Sequence, residues 1–342
     1  MRIIIDAMSG DNAPYETVKG AIEASEMFDA DIVLSGNRDI IEKTAAKLGK
    51  SLDKIEIIEA EEVITMEDDP NAVVRSKKNS SMSVGLRELK ENADAFISAG
   101  NTGALLVGSS LIVRSIKGIR RPCIATILPF PKPLLLADSG ANINVLPEYL
   151  ETWAFMSSLY AKNVLGIENP SVGLLNNGAE EHKGTQTYID TYQLLKKSED
   201  VNFVGNVEGR DIPFGPCDVL ITDGFTGNIL LKYTEGFGKF FLKTLKGMYT
   251  KNLRSKLSYL AMKDQLSELK TQFDTSDYGG APLLGLKKPV FKAHGSSDAK
   301  AIRCAVGKAI DYVEAGVGEK IALGLSNRYS TADKDNQEDN AE

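Results

Sequence analysis

Short apolar runs alternate with helix-period segments along almost all of this chain, and that alternation restricts its fold more than any other feature. Residues 3–6, 32–34, 55–58, 95–97, 124–128, 134–137, 172–175, 203–204 and 219–221 are brief and mostly Ile, Val, Leu, Ala or Phe, the pattern of strands covered on both faces. Between most of them lie residues 17–27, 40–48, 81–92, 148–166 and 185–197, where apolar side chains recur at helical spacing. Repeated strand–helix units predict an α/β fold, a doubly wound and mostly parallel sheet with helices on both faces. Ligands of such sheets sit beyond the C-terminal ends of the strands.

Two of those strand ends are written to one formula. Ser98-Ala99-Gly100-Asn101-Thr102-Gly103-Ala104-Leu105-Leu106 and Thr222-Asp223-Gly224-Phe225-Thr226-Gly227-Asn228-Ile229-Leu230 both read [Ser/Thr]-x-Gly-x-Thr-Gly-x-[Leu/Ile]-Leu. Glycine lets backbone N–H groups approach an anion, and a helix start adds partial positive charge. Gly100, Asn101, Thr102 and Gly103, with Gly224, Thr226 and Gly227, are therefore candidate phosphate ligands. The alternative is a pair of ordinary strand-to-helix turns capped by threonine.

The bulk composition removes several function classes. The chain has 342 residues and a net charge of -7 with no basic stripe, which argues against nucleic acid as a partner. Three scattered cysteines, Cys123, Cys217 and Cys304, point to a reducing cytoplasm and not to a disulfide framework. Only His182 and His294 represent histidine, and nothing has the spacing of a zinc site, so no metal is expected. No apolar run is long enough to span a membrane. Neither a Gly-x-Gly-x-x-Gly fingerprint nor a P-loop occurs, which disfavours nicotinamide or ATP chemistry.

Several loops carry polar groups suited to catalysis. Asp6-Ala7-Met8-Ser9-Gly10-Asp11-Asn12-Ala13-Pro14 makes a tight turn after the first strand, with Asp6 at its start. Arg75-Ser76-Lys77-Lys78-Asn79-Ser80-Ser81 sets cations beside hydroxyls before a helix. Lys77, Ser80 and Ser81 either grip phosphate or belong to a solvated loop in which a serine caps the helix. Asn176 to Thr185 is rich in amides and charge, and Lys183 there suits a phosphate or an oxyanion. His294-Gly295-Ser296-Ser297-Asp298 invites a triad reading, but capping by Ser297 with Asp298 in the first turn is the expected role.

Residues 247–274 hold only helix formers. Tyr249, Leu253, Leu257 and Leu260 share one face; Met262, Leu266, Leu269 and Phe273 share another. The phase jump near 261–264 predicts two helices joined at a bend, a projecting hairpin with Leu253, Leu257, Leu260, Ala261 and Met262 at its apolar tip. Packing on the core or on another subunit is the expected use of that face, and a membrane surface is the alternative. The expected organisation is thus one α/β domain over residues 1–325 with this hairpin inserted, then a polar, disordered tail over 326–342.

Taken in order, the loops resemble the bacterial phosphate acyltransferase (PlsX) family. The matching segments are D-A-M-x-G-D-x-A-P at 6–14, R-x-K-K-x-S-S at 75–81, S-A-G-N-T-G-A at 98–104, I-x-R-P at 119–122, G-A-N at 140–142, G-x-E-x-x-K-G at 178–184, G-N-V-E-x-R-D at 205–211, T-D-G-F-T-G-N at 222–228, Y-G-G-A at 278–281 and H-G-S-S-D at 294–298. Ser9, Asn12 and Ser139 depart from the family's usual Gly, His and Val. The resemblance implies a fold like phosphotransacetylase and isopropylmalate dehydrogenase, a homodimer, and no cofactor or metal. It also implies transfer of a fatty acyl group from acyl-acyl carrier protein to inorganic phosphate, giving acyl phosphate for phospholipid synthesis. A cytoplasmic enzyme bound peripherally to membrane, handing product to a glycerol-3-phosphate acyltransferase, completes the expectation. By motif, Lys183 and Asn228 take the catalytic positions and His294 joins the substrate-binding set. The rival readings are a phosphotransacetylase acting on small acyl-CoA and a non-catalytic membrane scaffold.

Overall fold

The first strand shows how the sheet is held. Ile3, Ile4 and Ile5 are each buried to within 1% of full coverage, because successive side chains point to opposite faces and helices cover both. Ile3 and Ile5 join one apolar cluster with Val18, Ala21 and Ile22, while Ile4 joins a second with Met82, Leu86 and Leu89. Each such side chain contributes roughly 1.5–3 kcal/mol by burial.

The structure is a computed structural model that describes residues 1–272 and 279–338. Its strands are β1 (Arg2–Asp6), β2 (Asp31–Gly36), β3 (Glu56–Glu59), β4 (Ala95–Ser98), β5 (Cys123–Leu128), β6 (Leu134–Ala137), β7 (Ser171–Asn176), β8 (Asn202–Glu208), β9 (Val219–Ile221), β10 (Ala281–Leu284) and β11 (Val290–Lys292). They form one sheet in the order β3-β2-β1-β4-β11-β10-β5-β6-β9-β7-β8. Its helices are α1 (Tyr15–Met27), α2 (Arg38–Leu48), α3 (Ser81–Asn92), α4 (Thr102–Gly108), α5 (Pro147–Asn163), α6 (Gln186–Lys197), α7 (Gly224–Thr250), α8 (Leu253–Ala261), α9 (Lys263–Gln272), α10 (Ala299–Glu314) and α11 (Val317–Glu338).

The sheet is parallel at both wings and antiparallel at its centre. β11–β10, β10–β5 and β5–β6 are the antiparallel pairs, so the wing β3-β2-β1-β4-β11 runs opposite to the wing β6-β9-β7-β8. Their C-terminal ends therefore open at opposite edges of the sheet. β10 and β11 are short, and Gly279, Gly280, Pro282 and Pro289 in and around them are turn-marking residues in sequence. Tyr278 lies outside the described residues.

Two expectations differ from the structure, and the bend falls where the phase jump near 261–264 put it. Residues 247–250 end the 27-residue α7 and do not begin a separate insertion. The bend itself lies at Met262, between α8 and α9; Tyr249 stacks edge-on against Tyr259 across the return, and Phe273 is outside the described residues. The tail does not start as disordered chain at 326, because α11 continues to Glu338; residues 339–342 are outside the described residues. Among the described residues no helix is long and apolar enough to cross a membrane.

Candidate active site

α7 starts where β9 ends, and its first turn is pinned from two sides. Asp223 caps it, accepting from Thr226 N and Thr226 Oγ1 at 2.8 Å each, and Tyr188 donates its phenol to the same carboxylate at 2.6 Å. Burial, then that bond to Asp223, pushes the Tyr188 hydroxyl up to about 12. Below the turn lies the 138–142 loop. Gly224 N donates to Asn142 O at 2.7 Å, and a Cβ at Gly227 would stand 1.9 Å from the Asp138 carbonyl oxygen. Only glycine permits that approach.

Asp138 holds the loop itself. Its fully buried carboxylate accepts from Ile124 N, Gly140 N, Ala141 N, Asn142 N and Asn142 Nδ2. Burial pushes its pKa up, and the bonds from Ile124, Asn142 and Ala141 act against the shift. The loop thus fixed sets Gly140 against the Asn228 side chain and Ser139 Oγ 2.6 Å from Thr126 Oγ1.

A cavity of about 400 Å3 runs over the central strands between the two sheet edges. At the β6–β9 side it is lined by Ser139, Gly140 and Asn228; at the β4–β11 side by Thr102, Lys292, His294 and Ser296. Ile124, Ile127, Leu231, Leu242 and Pro282 give it apolar walls. His294 bridges its mouth: Nδ1 lies 2.9 Å from Ser296 Oγ and accepts Ser296 N at 3.2 Å, while Nε2 lies 3.7 Å from Glu235 on α7. Burial lowers the Lys292 ammonium to about 8, against the attraction of Asp11 and Asp6. Burial also pushes the Cys123 and Cys217 thiols up, Cys217 to about 12, which makes both poor nucleophiles.

The twin turns are not twins in the structure. Asn101 caps α4 through Ala104 N at 3.1 Å, whereas Asp223 caps α7. The second helix therefore begins two positions earlier in the shared formula, and an Asx residue, not threonine, caps each. In the second turn the N–H groups of Gly224, Thr226 and Gly227 bond to Asn142 O, Asp223 Oδ1 and Asp223 O, so the turn itself and the 138–142 loop engage them. In the first, Gly100 N donates to Ser98 Oγ, and a Cβ at Gly103 would meet Pro70 at 2.9 Å.

Of the residues picked from sequence, Thr102, Asn228 and His294 share the cavity. Lys183 lies outside its lining, on the loop after β7 with its stem beside Gly178. Lys77 pairs with Asp68 at 2.7 Å and donates to Val63 O. Ser80 caps α3 through Ser83 N. Asp6 is fully buried at the end of β1, accepting from Ser98 Oγ at 2.8 Å; burial pushes its pKa up while the Ser81, Ser9 and Ser98 hydroxyls act against that. Asp298, not Ser297, caps α10. Sequence reading missed Lys292, Glu235 and Asp138; the only signal for Lys292 was a lysine two residues before His294.

The family model described as fatty acid synthesis protein matches residues 1–320. A phosphate acyltransferase of Alkaliphilus oremlandii is 48% identical over 328 residues, covering 95% of this chain and 98% of that protein. The phosphate acyltransferase of Clostridioides difficile is 45% identical, covering 99% of this chain and 100% of its own.

The chain belongs to the phosphate acyltransferase family.

It is accordingly an acyltransferase that uses phosphate as acceptor. Its architecture matches a phosphotransacetylase from Streptococcus pyogenes at TM-score 0.62 and 17% identity, covering 92% of this chain and 94% of that one. A branched-chain phosphotransacylase from Enterococcus faecalis matches at TM-score 0.52 and 12% identity, covering 92% and 100%. At those identities the likeness is one of fold.

Proposed function

We propose that the acyl donor is a fatty acyl thioester of acyl carrier protein and that the product is an acyl phosphate. The observation that supports this most is the composition of the cavity: hydroxyl, amide and ammonium groups at its ends and aliphatic walls between them. Phosphate is itself the nucleophile. One phosphate oxygen attacks the thioester carbonyl, the tetrahedral intermediate collapses, and the C–S bond breaks to release thiolate. The protein's tasks are to align the two substrates and to stabilise the oxyanion.

Asn228 is the catalytic amide in this reading. It sits at the rigid α7–Asp138 junction, where a donor is held in place before reaction, and loss of one such donor costs about 3 kcal/mol of barrier. Asn228→Ala is expected to lower turnover at least ~100-fold. Lys183 acts from the neighbouring loop, and Lys183→Ala is expected to be similarly slow; a normal rate would remove that residue from the mechanism. Phosphate-dependent thiol release from acyl-acyl carrier protein, compared with acyl-CoA, tests the donor. No release with either thioester would leave the scaffold reading, and preference for short acyl-CoA the phosphotransacetylase one.

One observation favours a second route. Ser296 Oγ, His294 and Glu235 form a hydroxyl–imidazole–carboxylate series, the grouping that activates a serine for an acyl-enzyme. Loss of activity in Ser296→Ala with ping-pong kinetics would establish it.

We assign the exposed stripe Phe225, Ile229, Tyr233, Phe237 and Phe240 on α7 to a second copy of the chain, giving a homodimer. Leu253, Leu257 and Leu260 are 75, 60 and 66% exposed, beside Lys251, Arg254 and Lys256. An exposed apolar tip ringed by cations suits an anionic membrane surface, from which product passes to a glycerol-3-phosphate acyltransferase.

A further inference from the structure

Three lysines face the cavity, and they are placed differently. Lys232 and Lys239 are exposed on α7, whereas Lys292 is partly buried at the end of β11. Its backbone is clamped on both sides, in register with Ser98 of β4 and with Ala281 of β10. An ammonium has three protons to donate. Among the described residues its one hydrogen-bond acceptor is the carbonyl of Ala293. The titratable groups around it are Asp6 at the end of β1, Asp11 in the following loop, His294 beyond β11, and Glu235 with Lys232 and Lys239 across the cavity on α7. Neither Asp6 nor Asp11 forms an ion pair with it within 4 Å, and Asp6 already takes the Ser98 hydroxyl.

A cation withdrawn from water with donors unfilled lowers the stability of the folded chain. Packing does not require it, because the aliphatic part of the side chain would serve as well. The position makes sense when an anion enters the cavity from the solvent side and completes the ammonium's hydrogen bonds.

We propose that Lys292 is the phosphate-binding cation of the cavity, holding the nucleophile at the β11 end while Asn228 acts on the thioester carbonyl from the β9 end. This rests on the acyl-transfer reading above and adds to it the residue that selects the acceptor. Thr102, on the adjoining β4 connection, supplies a hydroxyl to the same end. Charge for phosphate then comes from inside the cavity, and Lys183 is left a role at its periphery.

The test is steady-state kinetics on the full-length enzyme with phosphate and acyl-acyl carrier protein varied in turn, alongside calorimetric binding of inorganic phosphate to free enzyme. Lys292→Met is expected to raise the phosphate KM and the phosphate Kd at least about tenfold, with the thioester KM unchanged. Lys292→Arg, which keeps the charge, is expected to recover most of the binding. A folded Lys292→Met enzyme with phosphate KM and Kd within twofold of wild type would overturn the proposal. Should that variant not fold, Lys292→Gln gives the same comparison. A wild-type enzyme that releases no thiol would refute the acyl-transfer reading alone, and phosphate binding lost with Lys292 would still support the anchor.

Discussion

Replacing Gly227 by alanine tests whether α7 is positioned by contact with the 138–142 loop. The added Cβ would lie 1.9 Å from the Asp138 carbonyl oxygen and 3.2 Å from Thr222 Cγ2. Even to reach 3.0 Å, the closest approach that real Cβ atoms show, the first turn of α7 or the loop has to move by about 1 Å. The obstacle is backbone, and the loop is tied by the buried Asp138 carboxylate, so no flexible side chain absorbs the shift. Overpacking of this kind costs about 1–3 kcal/mol. Asn228, the amide proposed above as catalytic, is the next residue on the moving turn, and a displacement near 1 Å of such a group costs on the order of 100-fold in rate. Gly227→Ala is therefore expected to lose about 2 kcal/mol in urea unfolding and about 100-fold in kcat. Gly318→Ala is the control: that glycine lies in α11 with open space around its Cβ, so it is expected to gain about 0.5–1 kcal/mol with unchanged rate. A Gly227→Ala enzyme with wild-type stability and kcat would refute the claim that the loop positions the helix.

Three further outcomes follow from the same geometry. Asp138→Asn replaces a charged acceptor of five N–H groups by an amide that turns an NH2 toward some of them; a loss of about 3 kcal/mol is expected in denaturant titration, with activity falling as the cavity wall loosens. Lys292→Met is expected to unfold at higher temperature than wild type at pH 7. The folded pKa is about 8 against 10.5 for the free side chain, so below pH 8 the folded chain carries the whole cost of a desolvated charge, at most about 3 kcal/mol. Between pH 8 and 10.5 the unfolded chain binds more protons than the folded one, so wild-type stability rises with pH and the variant's advantage disappears by about pH 10.5. For the hairpin, Leu257→Glu with Leu260→Glu is expected to abolish flotation with anionic liposomes; unchanged flotation with a lower dimer melting point would assign the face to subunit contact instead.

The strands and helices that pack on each other were legible because burial imposes period: three isoleucines in β1 and the spacing of α3 fit only one kind of element. β10 and β11 were not, since Gly279, Gly280, Pro282 and Pro289 in and around them mark turns, and their strand character comes from pairing with β4 and β5. Lys292 was lost with them. A lysine looks like a surface residue until the strand that carries it is known to end inside a cavity. The glycine formula has a second use that sequence does not show. Gly224 and Gly227 suggest an anion cradle, but their lack of a side chain is used for packing against Asp138 and Asn142, which lie more than eighty residues earlier. A contact between distant segments leaves no local trace.

Reversal of strand direction at β10 and β5 also accounts for two similar turns lining one cavity. Because the wings run in opposite senses, the turn after β4 and the turn after β9 reach the cavity from opposite edges of the sheet, and each wing brings a different kind of group. The β4–β11 wing contributes Lys292 and Thr102, a cation and a hydroxyl suited to a dianion. The β6–β9 wing contributes Asn228 on a turn fixed by Asp138, a neutral donor suited to a carbonyl oxygen whose charge grows only as it is attacked. A ground-state dianion and a developing oxyanion make different demands, the first on affinity and the second on rate. Substitutions in the two wings should therefore separate kinetically: Lys292→Met in the phosphate KM, Asn228→Ala in kcat. In the double variant the two losses are expected to multiply if, as proposed, the groups act on different substrates. A double variant no slower at limiting phosphate than the worse single variant would mean that both groups serve one substrate, and the division of labour between the wings would fall.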